Sequence, residues 1–135
     1  MSARQALVRT ALLAAAPLAL AAGCASVAQV TTLGSPECHQ SFSAAVARIL
    51  QAEGEAALPA QRLAESTTTQ LQVAGLGPRP FLVEAPSGTD YSFFVQQKGN
   101  ACLLRLYGRQ KGFVSYTNNI SYIATEPLAP CQCSE

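Results

Sequence analysis

The chain has 135 residues, of which 49% are hydrophobic and 13% are charged, and its formal net charge is +1 at pH 7. This length suits a single domain, and the apolar content is too high for an intrinsically disordered chain. A net charge so close to zero excludes nucleic-acid binding through a broad basic surface, which needs a large excess of Lys and Arg.

The first 23 residues have the features of a secretory signal peptide. Arg4 and Arg9 give a positive start with no acidic residue, and residues 10–23 are uncharged and rich in Ala and Leu. Such a segment directs export and is removed from the mature protein, so it forms no part of the fold.

A cysteine follows the apolar stretch directly. The sequence Leu-Ala-Ala-Gly-Cys at residues 20–24 resembles the lipobox of bacterial lipoproteins, with Ala21 where that family most often has Leu. The resemblance implies cleavage before Cys24, acylation of Cys24 with chains such as palmitate, and a stable membrane anchor. Because Ala25 rather than Asp follows the cysteine, the family pattern also implies the outer membrane, with the protein facing the periplasm.

Two alternatives to the lipoprotein interpretation stay open. The uncharged stretch continues as far as Pro36, so it could be an uncleaved membrane anchor, although Pro17 and the many Ala residues disfavour a spanning helix. Cleavage after residues 19–21 by an ordinary signal peptidase would instead leave Cys24 as a free thiol. On the lipoprotein interpretation, residues 1–23 are the signal peptide, residues 24–35 are the lipidated cysteine and a tether, and residues 36–135 are one domain.

Four further cysteines lie in the exported part of the chain, where disulfides are the default expectation. They are Cys38, Cys102, Cys131 and Cys133. A bond between Cys131 and Cys133 would close a strained ring across a single residue. We therefore expect Cys38 to bond to one of these two residues and Cys102 to the other, and both pairings stay open.

The predicted elements begin with a helix. Ser35 is suited to cap it, Pro36 to be its first residue and Gly54 to end it. Apolar residues recur three or four apart and form one buried stripe, namely Cys38, Phe42, Ala45, Val46, Ile49 and Ala52. A short second helix is predicted over residues 58–66.

Strands and turns are predicted from residue 67 onward, over residues 67–73, 81–85, 91–97, 101–107, 113–117 and 120–125. Gly99-Asn100 and Asn118-Asn119 are typical of tight hairpin turns. A two-residue turn at Gly99-Asn100 pairs Gln97 with Cys102, Val95 with Leu104 and Phe93 with Leu106. The predicted fold class is α+β, an N-terminal amphipathic helix packed on a five- to six-stranded antiparallel meander and held by disulfides.

The sequence contains few groups suited to catalysis. His39 and Asp90 could belong to a Ser-His-Asp triad, but no nucleophile motif accompanies them, and no glycine-rich phosphate loop or other cofactor motif is present. We therefore expect that the protein is not an enzyme. A small hydrolase centred on His39 is a third hypothesis, after the two described in the next paragraph.

Basic and aromatic side chains alternate around the predicted hairpins, a composition favoured at protein interfaces. They are Phe94, Arg105, Tyr107, Arg109 and Lys111, which we predict to form a binding surface. The leading hypothesis is a lipid-anchored, non-catalytic binding module that presents this surface to an envelope or periplasmic protein, as an accessory of an assembly or as an inhibitor or immunity protein. The alternative is a periplasmic metal-handling protein that uses Cys38, His39, Cys131 and Cys133, which are ligands suited to Cu(I) or Zn.

Overall fold

The computed structural model describes residues 26–75, 79–111, 117–118 and 124–134. Two helices, α1 (Pro36–Ala52) and α2 (Ala57–Ala74), are preceded by two short strands, β1 (Ser26–Val27) and β2 (Gln29–Val30). The strands that follow are β3 (Phe81–Glu84), β4 (Thr89–Lys98), β5 (Ala101–Lys111), β6 (Thr117–Asn118), β7 (Ala124–Pro127) and β8 (Cys133–Ser134). All strand pairs are antiparallel within these residues, and the predicted α+β class is confirmed.

Helix α1 begins with a side-chain cap. The Ser35 hydroxyl accepts a hydrogen bond of 3.2 Å from the backbone N–H of Cys38, and Pro36 is the first helical residue, where its missing N–H costs nothing. The predicted apolar stripe is buried from Cys38 to Ile49, with Phe42 and Val46 fully inaccessible to solvent, but its last residue, Ala52, is exposed at the end of the helix. Helix α1 therefore forms the helical side of the core.

Helix α2 is longer than the sequence predicts, because the predicted strand over residues 67–73 is wrong. The helix continues to Ala74, and Ala60, Ala64 and Thr68 form a buried stripe at a spacing of four residues. The Thr68 hydroxyl donates a hydrogen bond of 2.7 Å to the carbonyl oxygen of Ala64. Burial of this stripe outweighs the strand preference of three consecutive threonines, which is weak compared with packing.

The segment expected to be a tether lies against the domain. Ser26 pairs with Gln97 in β4, and Val30 pairs with Cys133 in β8. Ala28 is also buried, with 1% of its surface exposed. Since apolar side chains of this segment enter the core, the described part of the predicted tether packs with the domain that was expected to begin at Pro36.

The main sheet has six described strands, in which β1, β4, β5 and β6 lie side by side. It differs from a simple meander, because β1 and β3 both pair with β4, and β6 and β7 both pair with β5. The predicted hairpin register is confirmed: Gln97 lies opposite Cys102, and the next predicted pairs follow. Part of the predicted hairpin around residues 118–119, including residues 113–116 and 119–123, lies outside the described residues.

The inner face of the β4–β5 hairpin packs against the helices. Its residues Tyr91, Phe93, Val95, Cys102, Leu104 and Leu106 are all buried. A disulfide between Cys38 and Cys131, with their Cα atoms 4.7 Å apart, joins α1 to the C-terminal segment and confirms the predicted cross-link from Cys38 to the Cys-Gln-Cys sequence. Within the described part of the chain, neither helix has the length and apolar character needed to cross a bilayer.

Candidate functional site

The structure divides the predicted binding surface between two faces of the sheet. The register shifts in the β4–β5 pair, where Leu106 lies opposite Phe93 and Gly108 lies opposite Ser92, so Tyr107 is an extra residue in β5. Such a bulge reverses the alternation of side chains beyond it. Arg109 therefore lies opposite Tyr91, on the helix side, and not on the face that carries Arg105.

Three of the predicted residues form one group on the outer face, which we call the outer patch: Phe94, Arg105 and Tyr107. The rings of Phe94 and Tyr107 meet edge to face, with their centroids 5.4 Å apart. Arg105 lies opposite Phe94 in the register, and its guanidinium group donates hydrogen bonds to the side chains of Gln96 and Thr125. Phe94 is buried, whereas Arg105 and Tyr107 are half-buried.

The outer patch combines an aromatic pair with a fixed guanidinium group. A guanidinium group recognises carboxylates through its planar array of donors, and Tyr gives a large contact area at a low cost in side-chain entropy. Because the two acceptors hold Arg105 in place, little further order is lost when a partner binds. The arrangement is suited to protein recognition.

The other two predicted residues lie at the opposite end of the hairpin from its Gly99-Asn100 turn. Arg109 forms an ion pair of 2.7 Å with Glu53, which follows the last residue of α1. Lys111 is exposed and lies opposite Thr89. Arg109 thus links the end of α1 to the sheet, a structural role that the sequence interpretation did not assign to it.

A second group of residues at this end was not predicted, and we call it the end cluster. It comprises Glu53, Glu55, Ser87, Tyr91 and Arg109. The Glu55 carboxylate accepts hydrogen bonds of 2.6 Å from the hydroxyls of both Ser87 and Tyr91. Burial, together with this carboxylate, raises the pKa of the Tyr91 hydroxyl well above its usual range. Tyr91 therefore stays protonated and acts as a hydrogen-bond donor rather than as a base.

One feature of the sequence could have revealed the end cluster. Two glutamates flank Gly54 just beyond the end of α1, where the helix dipole disfavours negative charge. Acidic residues at such a position indicate partners elsewhere in the fold. Here these partners are Arg109 and Tyr91, each of which comes from the sheet.

The remaining two described cysteines lie together. Cys102 is buried and Cys133 is partly buried, both are free thiols, and each influences the ionisation of the other. Burial, and secondarily the neighbouring Cys133, raises the pKa of the Cys102 thiol, and burial also raises that of Cys133. Cys38 bonds to Cys131, as in one of the two open pairings, whereas the bond that this pairing predicts between Cys102 and Cys133 is not formed in the structure.

The four residues of the predicted metal site do not come together as ligands. Cys38 and Cys131 are joined in the disulfide. His39 lies in the groove between the two helices, with its Nε2 atom 3.4 Å from the Thr69 hydroxyl. Over the described ranges of the chain, no group of three or more His, Cys, Asp or Glu side chains is arranged to hold a metal ion.

The other candidate residues are separated or undescribed. Asp90 lies in β4 between Glu84 and Gln110, whereas His39 lies on a helix, and no interaction joins the two in the described structure. Cys24, the predicted lipidation site, lies outside the described residues.

Comparisons with protein-family models, with curated proteins and with solved structures found no match for this chain.

Proposed function

We propose that the protein is a lipid-anchored envelope protein that acts as a non-catalytic binding module facing the periplasm. Its anchor is Cys24 at the end of the lipobox-like sequence, and the implied location is the outer membrane. The observation that carries the proposal is that a domain with a disulfide follows the lipobox-like sequence almost directly in the chain. Only Ala25 separates Cys24 from strand β1, and the domain contains a disulfide of the kind that persists in exported proteins.

The proposed oxidised state includes a second disulfide, between Cys102 and Cys133. Both are free thiols that influence each other's ionisation, and Cys133 is positioned by the pairing of β8 with β2. Formation of the bond removes two protons and two electrons from the thiols. The acceptor is a protein disulfide of an exported oxidoreductase, which is itself reduced to two thiols.

The proposed working surface is the outer patch. Arg105 and Tyr107 provide the residue types that are enriched in the energetic centres of protein interfaces. A suitable partner is an envelope or periplasmic protein with a carboxylate for Arg105 and an apolar surface for the aromatic pair. Such a partner fits either an accessory role in an envelope assembly or the inhibition of an enzyme.

The proposal is tested by crosslinking in intact cells that produce the full chain. A photoreactive amino acid replaces Leu103, which lies two residues before Arg105 in β5, and the crosslinked product is measured with and without the double substitution Arg105→Ala and Tyr107→Ala. We expect a product of defined mass that decreases at least tenfold in the double variant. The matched control Arg62→Ala, which removes an exposed charge on α2, leaves the product unchanged.

Equal yields of the crosslinked product in all three proteins would contradict the assignment of the outer patch. An unchanged circular dichroism spectrum and urea midpoint of the double variant show that the loss does not come from unfolding. Recovery of the protein without a lipid, in the soluble fraction, would contradict the anchor instead.

A further inference from the structure

The first strand of the domain lies beside the tip of the β4–β5 hairpin. Ser26 pairs with Gln97, which is followed by the last residue of β4, Lys98, and by the turn at Gly99 and Asn100. We define the hairpin tip as Lys98, Gly99, Asn100 and Ala101. All four residues are exposed.

Covalent geometry places the anchor close to this tip. Two residues of fully extended chain reach at most about 7 Å, so the backbone of Cys24 cannot be farther than that from Ser26. A lipidated cysteine lies at the membrane surface, and the strand that begins two residues later is already fixed in the sheet by its pairing with β4. Only Ala25 separates the anchor from this strand in the sequence.

The charge of the hairpin tip favours the same surface. No Asp or Glu occurs from residue 91 to residue 125, whereas Lys98, Arg105, Arg109 and Lys111 all lie in this stretch. Of these four, Lys98 lies at the tip, where it is exposed beside the strand that leads to the anchor, whereas Arg109 and Lys111 lie at the far end of the hairpin. Basic side chains near a membrane are attracted to the phosphate groups of anionic lipids by about 1 kcal/mol each.

We propose that the hairpin tip rests on the lipid headgroups, so that the lipid anchor and Lys98 together hold the domain in one orientation on the membrane. This inference rests on the lipid anchor of the proposed function. Strand β4 has 10 residues and spans about 30 Å at about 3.3 Å per residue, so the end cluster lies at the far end of the sheet. The end cluster thus faces the aqueous space, and the outer patch lies between the two ends.

The test uses the absence of tryptophan from the sequence. The variant Asn100→Trp places a single fluorophore at the hairpin tip. The matched control Leu58→Trp places one at an exposed apolar position, 55% accessible, at the start of α2 near the end cluster. Each full-length lipidated protein, its mass verified, is reconstituted in vesicles of phosphatidylcholine and phosphatidylglycerol, with and without bromine on the acyl chains near the headgroup.

We expect the brominated lipids to reduce the emission of the Asn100→Trp variant at least twofold and that of the Leu58→Trp variant by less than a tenth. Because both substitutions are at exposed positions, the fold is retained, which circular dichroism checks. Equal quenching of the two variants, or stronger quenching of Leu58→Trp, overturns the orientation while the anchor stands. If the purified protein carries no lipid, the proposed function itself fails, and the orientation fails with it.

Discussion

The disulfide between Cys38 and Cys131 should supply a large part of the stability of the domain. The two cysteines are 93 residues apart, and a loop of this length corresponds to about 4 to 5 kcal/mol of lost chain entropy in the unfolded state. A domain of this size is stabilised by about 5 to 15 kcal/mol in total. Breaking this one bond therefore removes a major fraction of the free energy of unfolding.

The measurement is made in a protein that carries Cys102→Ala and Cys133→Ala, so that only one disulfide can form. Urea unfolding is compared between its oxidised and its reduced forms. With a denaturant dependence of about 2 kcal/mol per molar, we expect reduction to lower the urea midpoint by roughly 2 to 2.5 M. The same sulfur atoms occupy the core in both forms, so the comparison isolates the cross-link from packing.

A difference in the free energy of unfolding below about 1 kcal/mol would refute this reasoning. It would show that the cross-link does not restrain the unfolded chain, or that Cys38 and Cys131 are not joined. Alkylation of the unreduced, unfolded protein distinguishes the two, since joined cysteines take up no reagent.

Three further predictions concern the sheet. In Tyr91→Phe, loss of the hydrogen bond to Glu55 lowers the free energy of unfolding by about 1 to 3 kcal/mol at pH 7. The pKa of Tyr91 is raised in the folded state, so above about pH 10 the free energy of unfolding of the wild type falls by an additional 1.4 kcal/mol or so per pH unit. Urea titrations at pH 9 and pH 11 should show that the variant lacks this additional loss. Leu104→Ala, at a fully buried site, should lower the free energy of unfolding in urea by about 2 to 5 kcal/mol. Leu82→Ala, at a site 52% exposed, should lower it by less than half as much, and equal losses would contradict the assigned faces of the sheet. Gly99 has a φ of +62°, so Gly99→Val should lower the thermal midpoint clearly more than Gly99→Asn, and equal effects would contradict the turn geometry.

The central hairpin could be predicted from the sequence because its constraints are local. A two-residue turn at Gly99 and Asn100 fixes the register, and the alternation of apolar residues then determines which side chains face the core. The bulge at Tyr107 could not be predicted in this way, since one extra residue leaves no mark on the local composition. It is the reason why Arg109 does not lie on the face that carries Arg105.

The second helix shows where local preference fails. Thr67, Thr68 and Thr69 favour a strand when they are considered alone, yet the stripe that ends at Thr68 packs in the core as part of a helix. The end cluster was missed for a similar reason, because Glu55 and Tyr91 are 36 residues apart in the chain and become neighbours only in the fold. Both features depend on contacts between elements rather than on the pattern within one.

The most direct test of the proposed function is the intact mass of protein extracted from membranes, with thiols alkylated before and after reduction. We expect a chain that begins at Cys24 and carries a lipid mass increment, with four cysteines that react only after reduction. An unlipidated chain in which these cysteines react without reduction would contradict both the anchor and the oxidised domain.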